Sequence, residues 1–292
     1  MQLSVILVSF NSLNVLKPCL GFLKKRLEEN FESDQAEIIV VDNNSQDKTP
    51  AWLAKEKDVK TILVKENLGF GRANNVGLQI TKAKFVLFLN TDVYLKEKID
   101  FKKLLLFLDK NPKAAGLTIK LLLPNGQIDP ASHRGFPTPY NALTYFSGLE
   151  RLTASIPGLN RLFGGYHLCS GNLTQVHEID SPTAAFFLVK KPILDHLGGF
   201  DPDYFFYSED LDLSYRIKKL GYSIWYYPQY RALHLKNQSS LKSKDPKTQK
   251  LTHDYFYQTM LTFYDKHYRQ KYPAVLYWLV KAGIKLKSRL PK

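Results

Sequence analysis

Short apolar runs alternate with segments of helical periodicity in the first third of the chain. Leu3–Ser9 (LSVILVS) is a continuous apolar run, typical of a strand covered on both faces. Leucines then recur at helical spacing, so Ser12–Glu29 is predicted to be an amphipathic helix. The same patterns predict strands at Glu37–Val41, Thr61–Val64 and Phe85–Leu89, and helices at Asp47–Glu56 and Arg72–Thr81. Such alternation predicts a mostly parallel sheet with right-handed crossovers.

Polar residues follow four of these predicted strands at the point where each strand ends. They are Asn11, Asp42, Asn67 and Asp92. Ligands of open α/β sheets bind outside the carboxyl ends of the strands. This placement is therefore the first indication of a functional site.

The regular alternation weakens after Lys96. A helix at Asp100–Lys110, a strand at Gly116–Leu123 and a turn at Asn125-Gly126 are still indicated. Residues 130–178 are rich in glycine, proline and aromatic residues without a clear period, so we expect an irregular, mobile segment. Beyond it the patterns predict strands at Thr183–Lys190 and Ser223–Tyr227, and helices at Glu209–Leu220, Lys247–Arg269 and Ala274–Leu290.

The composition favours anionic partners. Of 292 residues, 41 are Lys or Arg and 27 are Asp or Glu, which gives a net charge of +14. Anionic lipid and phosphorylated substrates fit this charge, whereas no nucleic-acid module is recognisable and we expect no nucleic-acid partner. Cys19 and Cys169 cannot form a disulfide framework, which indicates a reducing compartment. Leu3–Val8 is too short for a signal peptide, and Ala274–Ile284 is too short to cross a bilayer.

A glycine-containing segment, Asn67–Gly77 (NLGFGRANNVG), follows the third predicted strand and opens a helix. Gly69 and Gly71 would let the backbone approach a phosphate at the helix N-terminus. Asn74 stands where a dinucleotide fingerprint has its third glycine, which argues against a Rossmann dehydrogenase. The alternative is that these glycines serve only a tight turn.

Two acidic motifs are candidates for chemistry. Asp92 in Asn90-Thr91-Asp92 follows a very apolar strand and suits Mg²⁺ or Mn²⁺, although it could instead cap the next helix. Glu209 and Asp210 follow the aromatic residues Phe205–Tyr207, where partial desolvation raises a carboxyl pKa toward the range of a general base. The alternative is that Ser208 caps a helix whose first turn these acids complement.

The segment His234–Ser240 follows an aromatic strand. A neutral His234 could complete a metal shell, and Lys236 and Ser239 could hold phosphate oxygens. A lone histidine is more often structural, so this interpretation depends on the other motifs.

Together these segments resemble the family 2 glycosyltransferases, in particular the bacterial rhamnosyltransferase-like branch that assembles cell-surface polysaccharides. The resemblance covers residues 1–240 and rests on SVILVSFN, VVDNNSQDKT, ENLGFGRANNVGL, FLNTDV and GGFDPDYFFYSEDLDLSYRIKKLGY, with the late histidine and serine. It implies the GT-A fold, an α/β architecture with a Rossmann-like, mostly parallel central sheet flanked by helices. Residues 241–292 would form a basic, helical C-terminal extension.

The resemblance also implies roles for individual residues. Asp210 would be the catalytic base, Glu209 would orient the acceptor or the base, and Asp92 would bind the metal with His234. The nucleotide-sugar donor would contact Ser9, Phe10, Asn11, Asp42, Asn67, Gly69, Asn74, Asn90, Asp180, Lys236 and Ser239.

Three positions depart from the family pattern: Asn90 replaces the first Asp of the D-x-D metal motif, Ala184 replaces a glycine, and Asn237 replaces a glycine after the histidine. The first bears on metal affinity and the other two on loop geometry.

The expected reaction is an inverting single displacement with Mn²⁺ or Mg²⁺, which transfers a sugar from dTDP-rhamnose or a UDP-sugar to a glycan or lipid-diphosphate-linked acceptor. Val275, Leu279, Ala282 and Leu286 share one face of the last helix, with lysines partly opposite. That helix could lie on an anionic membrane or pack on the enzyme. We expect a cytoplasmic protein, peripheral on the inner face of the cell membrane. An inactive GT-A-fold binding protein and a sugar-nucleotide nucleotidyltransferase remain alternatives.

Overall fold

The computed structural model describes residues 1–236 and 246–289, with the side chains of 246–249 left aside. The first half alternates strands and helices: β1 (Leu3–Ser9), α1 (Leu13–Glu28), β2 (Ala36–Asp42), α2 (Thr49–Leu53), β3 (Lys60–Leu63), α3 (Phe70–Ile80), β4 (Phe85–Leu89), β5 (Val93–Tyr94), α4 (Phe101–Lys110) and β6 (Ala114–Leu122). The predicted elements of this half are therefore confirmed, with boundaries that differ by a few residues.

The second half adds helices that the sequence pattern did not indicate. After a 3₁₀ turn at Pro130–Ser132 come α5 (Pro139–Phe146), α6 (Leu149–Thr153), α7 (Leu159–Phe163), β7 (His177–Ile179), β8 (Phe186–Lys190), α8 (Lys191–Leu197), α9 (Glu209–Lys219), β9 (Ser223–His234), α10 (Pro246–His267) and α11 (Ala274–Lys287). The expectation of an irregular segment over 130–178 was wrong. Its helices have only five to eight residues, too few to establish a period.

The strands form one mixed sheet in the order β3-β2-β1-β4-β8-β6-β9-β5, with β7 paired to β9. The β3-β2-β1-β4 half is parallel, whereas β8 runs antiparallel to both β4 and β6. Strand β9 extends past the predicted end at Tyr227, since its pairing with β6 resumes at Arg231 after a bulge. Pro228, which lacks an N–H, lies in that bulge.

Two apolar layers cover the sheet. Alternating residues of β1 face opposite sides, so Leu3, Val5 and Leu7 join the layer formed with α1 and α4, and Ile6 joins the opposite one. A third cluster, rich in buried tyrosines and phenylalanines, joins α10 and α11 to Tyr204 and Leu211 near the start of α9. The boundary predicted at residue 240 falls outside the described residues, so the two-domain division stays a prediction.

Candidate active site

A cleft of about 640 Å³ opens at the carboxyl ends of β1, β2 and β4. Its walls come from the loops after these strands, the segment before α9, and helices α5 and α10. Of the predicted site residues, those that line this cleft are Phe10, Asn67, Gly69, Asn90, Asp92, Glu209, Asp210 and Lys236. Strand ends thus bring together motifs that are far apart in the chain, as the sheet topology predicts.

The loop after β3 is held by an asparagine that the sequence did not single out. Asn43 donates to Asn67 Oδ1 at 2.8 Å and accepts from the Leu68 backbone N–H at 2.8 Å. Asn67 Oδ1 also accepts from the Gly69 N–H at 2.9 Å. These bonds fix the turn into α3 on the wall of the cleft.

Three other residues predicted to contact the donor do not line the cleft. Ser9 is fully buried with its hydroxyl 2.9 Å from that of Ser12, and Asn11 Oδ1 accepts from Gln46 N. Asp42 is buried, with Oδ1 accepting from Ser45 N and Oδ2 without a partner among the described residues. Direct contact of these three residues with the donor stays a prediction.

Two further predicted residues hold local structure. Asn74 is buried in α3 and donates to the Phe70 carbonyl at 3.0 Å. Asp180 accepts from Phe136 N and pairs with Lys218, both at 3.1 Å. Neither side chain lines the cleft, and Ser239 lies outside the described residues.

The candidate cation site lies where β4 and β9 end. Asp92 Oδ1 faces His234 Nε2 at 3.5 Å, and Asn90 Oδ1 is buried without a hydrogen-bond partner among the described residues. No group of three or more His, Cys, Asp or Glu side chains in the described part of the chain could hold a metal ion. The oxygen atoms of Asn90 and Asp92 are nevertheless of the type that Mg²⁺ or Mn²⁺ takes, and these ions complete their shell with phosphate oxygens and water.

A buried aspartate, Asp129, supports this site and was missed by sequence reasoning. Its carboxylate accepts from His234 Nδ1 at 2.8 Å and from Lys236 Nζ at 2.6 Å, and it is fully buried. Burial opposes its ionisation, but these two donors hold the pKa of Asp129 well below its usual range. The hydrogen bond from Nδ1 to Asp129 fixes the ring of His234, so that its Nε2 atom faces Asp92.

The carboxylate pair at the start of α9 lies beside a partly buried arginine. Arg134 donates to Asp210 Oδ2 at 2.7 Å, and the same oxygen accepts from Ala184 N at 3.3 Å. Glu209 Oε2 is buried without a partner among the described residues. Burial, and then the charge of Asp210, raise the pKa of Glu209 to about 8. Glu209 therefore holds a proton at neutral pH.

Backbone strain marks the turn that presents this pair. Tyr207 and Ser208 have φ of 71° and 64°, a conformation that non-glycine residues rarely adopt. Ser208 occupies the N-cap position of α9 without a capping hydrogen bond from its side chain. The side chain of Ser208 therefore does not cap the helix, whereas Glu209 and Asp210 do lie in its first turn, as the structural alternative predicted.

Helix α10 supplies an aromatic wall opposite the strand ends, which no sequence motif indicated. Tyr255, Phe256, Phe263 and Tyr264 line the cleft, and the ring of Tyr255 stacks on that of Phe205 with centroids 4.8 Å apart. Aromatic faces of this kind can pack against the apolar faces of sugar rings.

The fold is that of GT-A glycosyltransferases. The crystal structure of TarS 1-349 from S. aureus has a TM-score of 0.56 at 18% identity, covering 99% of this chain and 81% of that one. The mannosyltransferase PcManGT from Pyrobaculum calidifontis, in complex with GDP-Man and Mn²⁺, has a TM-score of 0.57 at 16% identity, covering 99% and 70%. The fold predicted from the sequence is confirmed.

Several curated relatives are rhamnosyltransferases. The N-acetylglucosaminyl-diphospho-decaprenol L-rhamnosyltransferase of Mycobacterium tuberculosis is 27% identical over 280 residues, which cover 87% of this chain and 82% of that protein. The rhamnosyltransferase WbbL of Escherichia coli K12 is 23% identical over 220 residues, covering 73% and 78%. The sequence profile named Glycosyl transferase family 2 matches residues 4–162. This match spans more than half of the 292 residues, and the chain therefore belongs to glycosyl transferase family 2.

Proposed function

We propose that this glycosyltransferase inverts the sugar it transfers from dTDP-rhamnose or a UDP-sugar to a hydroxyl of a glycan or lipid-diphosphate-linked acceptor, in cell-surface polysaccharide assembly. One observation carries the proposal: Asn90 and Asp92 lie on the wall of the same cleft as Glu209 and Asp210. The named activities of the M. tuberculosis and E. coli relatives support rhamnosyl transfer.

Asp210 acts as the base in this proposal. Glu209, whose pKa is raised to about 8, keeps its proton at neutral pH, whereas Asp210 carries its charge beside Arg134. Asp210 takes the proton of the acceptor hydroxyl while that oxygen attacks the anomeric carbon from the face opposite the diphosphate. The bond from the anomeric carbon to the diphosphate breaks in the same step, which inverts the carbon. Glu209 can donate its proton as a hydrogen bond that orients the acceptor.

The donor diphosphate would lie between the turn into α3 and the β9 end. Asn67 and Gly69 present the first wall, and Lys236, held by Asp129, presents a cation on the second. Asp92 and His234, with Asn90 beside them, would hold Mn²⁺ or Mg²⁺, which when bound neutralises charge on the departing diphosphate.

The acceptor would be reached at a membrane surface, on the cytoplasmic side. Helix α11 exposes Val275, Trp278 and Leu286, and Lys285 lies on the same helix. Such a surface suits the boundary of an anionic bilayer. No helix within the described residues is long and apolar enough to cross a membrane. Flotation with anionic vesicles tests the association, and absence of binding at low salt would contradict it.

Donor binding and hydrolysis across UDP- and dTDP-sugars, with and without Mn²⁺ or Mg²⁺, test the activity in wild type and Asp210→Asn. We expect cation-dependent turnover of one donor, and a loss of about 100-fold or more in Asp210→Asn with donor affinity kept. Asp195→Asn, an exposed carboxylate outside the cleft, is the matched control and should retain full activity. If no nucleotide-sugar binds under any condition, the chain is a binding protein for other ligands and the proposal fails.

A further inference from the structure

A second depression, here called the groove, lies between α5 and α11 on the far side of α5 from the cleft. It has a volume of about 330 Å³ and is lined by apolar residues that include Leu143, Leu276 and Leu279. Leu143 is 67% exposed and Leu279 is 64% exposed. Large exposed leucines on two facing helices mark a surface that binds an apolar partner.

The floor of the groove is open because of a glycine in the middle of α11. A Cβ added at Gly283 would meet no atom within 4 Å. Glycine inside a helix costs about 1 kcal/mol relative to alanine, so this residue weakens α11. A side chain here would occupy space that the groove otherwise leaves free.

One end of the groove carries positive charge. Lys287 lines it, donates to the Phe146 carbonyl at 2.9 Å and lies 4.9 Å from the centre of the Phe146 ring. Lys285 and Arg289 are exposed near the same end of α11. An occupant with an apolar body and an anionic end matches this distribution.

The groove and the cleft share a wall. Ala142 and Phe146 of α5 line both of them. The groove is therefore one helix width from the cleft, near enough to receive the apolar part of a ligand whose diphosphate and sugar lie in the cleft.

From these features we infer that the groove binds the diphosphate-proximal isoprene units of a polyprenyl-diphosphate-linked acceptor, an inference that rests on the proposed function. The apolar walls hold the chain, the cationic end faces the diphosphate, and α5 separates the chain from the reacting sugar. The rest of a long chain stays in the membrane beneath α11.

The test compares farnesyl diphosphate with inorganic diphosphate by calorimetry, using the full chain. Wild type should bind farnesyl diphosphate about tenfold or more tightly than inorganic diphosphate, since the chain buries apolar surface. Gly283→Leu fills the groove and should abolish that difference. Gly283→Ala, which strengthens the helix but leaves most of the space, and Gly21→Leu, at an open position in α1, should retain it.

Transfer assays separate this inference from the proposed function. Gly283→Leu should raise the KM for a polyprenyl-diphosphate sugar acceptor about tenfold and leave the KM for a short-alkyl analogue unchanged. If wild type transfers to neither acceptor, the proposed function fails. If wild type uses both with equal KM, only the groove assignment fails. If Gly283→Leu loses vesicle binding but keeps its affinity for farnesyl diphosphate, the groove binds the bilayer instead. If wild type is a dimer and Gly283→Leu is a monomer, the groove binds a second copy of the chain instead.

Discussion

Glu209 and Asp210 are neighbours in sequence but meet different surroundings. Asp210 lies against the Arg134 guanidinium and two backbone N–H groups, from Ala184 and Leu211. The Oε2 atom of Glu209 is buried without a hydrogen-bond partner among the described residues. Removing a carboxylate from water without compensation favours its neutral form. The proposed division of roles between base and orienting group thus depends on the surroundings of single residues.

Glu209→Gln should change how stability depends on pH. The folded pKa of Glu209, about 8, lies above its ordinary value of 4.5, so the folded state binds the proton more tightly than the unfolded state. The stability that protonated Glu209 adds to the folded state is therefore fully present below about pH 4.5 and is lost as pH rises toward about 8. Relative to wild type, the Gln variant should become progressively more stable across this window.

Urea unfolding of both proteins from pH 5 to pH 9 measures this difference. Asp210, Asp212 and Arg134 also act on Glu209 and are common to the two proteins. A difference in unfolding free energy that stays constant with pH would show that Glu209 is ionised throughout.

At the scale of elements, the turn into α3 packs against the segment that precedes α9. Gly69 has φ of 79°, and a Cβ there would overlap the carbonyl oxygen of Phe205. The next residue, Phe70, donates its N–H to that same oxygen at 3.0 Å. The turn into α3 is therefore held directly against the aromatic segment before α9.

Gly69→Ala should destabilise the protein more than the left-handed backbone alone requires. Gly126 has φ of 81° with no atom within 4 Å of an added Cβ, so Gly126→Ala measures the backbone cost, about 1 kcal/mol. We expect Gly69→Ala to exceed this control by about 1–3 kcal/mol in unfolding free energy and to weaken nucleotide binding. Equal costs for the two variants would mean that the contact with Phe205 is absent.

At the scale of the whole molecule, hydrogen bonds join α10 to α9 and to the segment before α5. His267 Nε2 donates to Asp212 Oδ1 at 2.7 Å, and Arg216 Nε donates to Asp212 Oδ2 at 2.7 Å. Asp212 is fully buried. Tyr264 donates its hydroxyl to the Pro137 carbonyl at 2.7 Å. These bonds place the aromatic wall of α10 over the cleft.

Asp212→Ala should therefore destabilise the protein and open the cleft. Loss of the carboxylate leaves Arg216 and His267 without their buried acceptor, which costs about 3–5 kcal/mol. Asp195→Ala removes a carboxylate from an exposed pair with the same i, i+4 spacing and should cost about 1 kcal/mol or less. Thermal unfolding of both variants, with limited proteolysis of α10, measures the difference, and similar melting temperatures would contradict the role given to Asp212.

The sequence by itself determined the parallel half of the sheet and the motifs at its strand ends. Continuous apolar runs such as Leu3–Ser9 and Phe85–Leu89 coincide with β1 and β4, because burial on both faces requires apolar residues throughout. The carboxyl ends of parallel strands share one edge, so Asn67 and Asp92 were predictable members of one site.

Only the tertiary structure decided which groups support these motifs. Arg134 and Asp129 contact Asp210 and His234 across 76 and 105 positions of sequence, and no local period encodes such pairs. Helices α5 to α7 are too short for periodicity to reveal, and α10 presents its aromatic face to the cleft through packing. Long-range contacts are fixed when the chain closes on itself, which is why the contact of Arg134 with Asp210 and the groove became visible only in three dimensions.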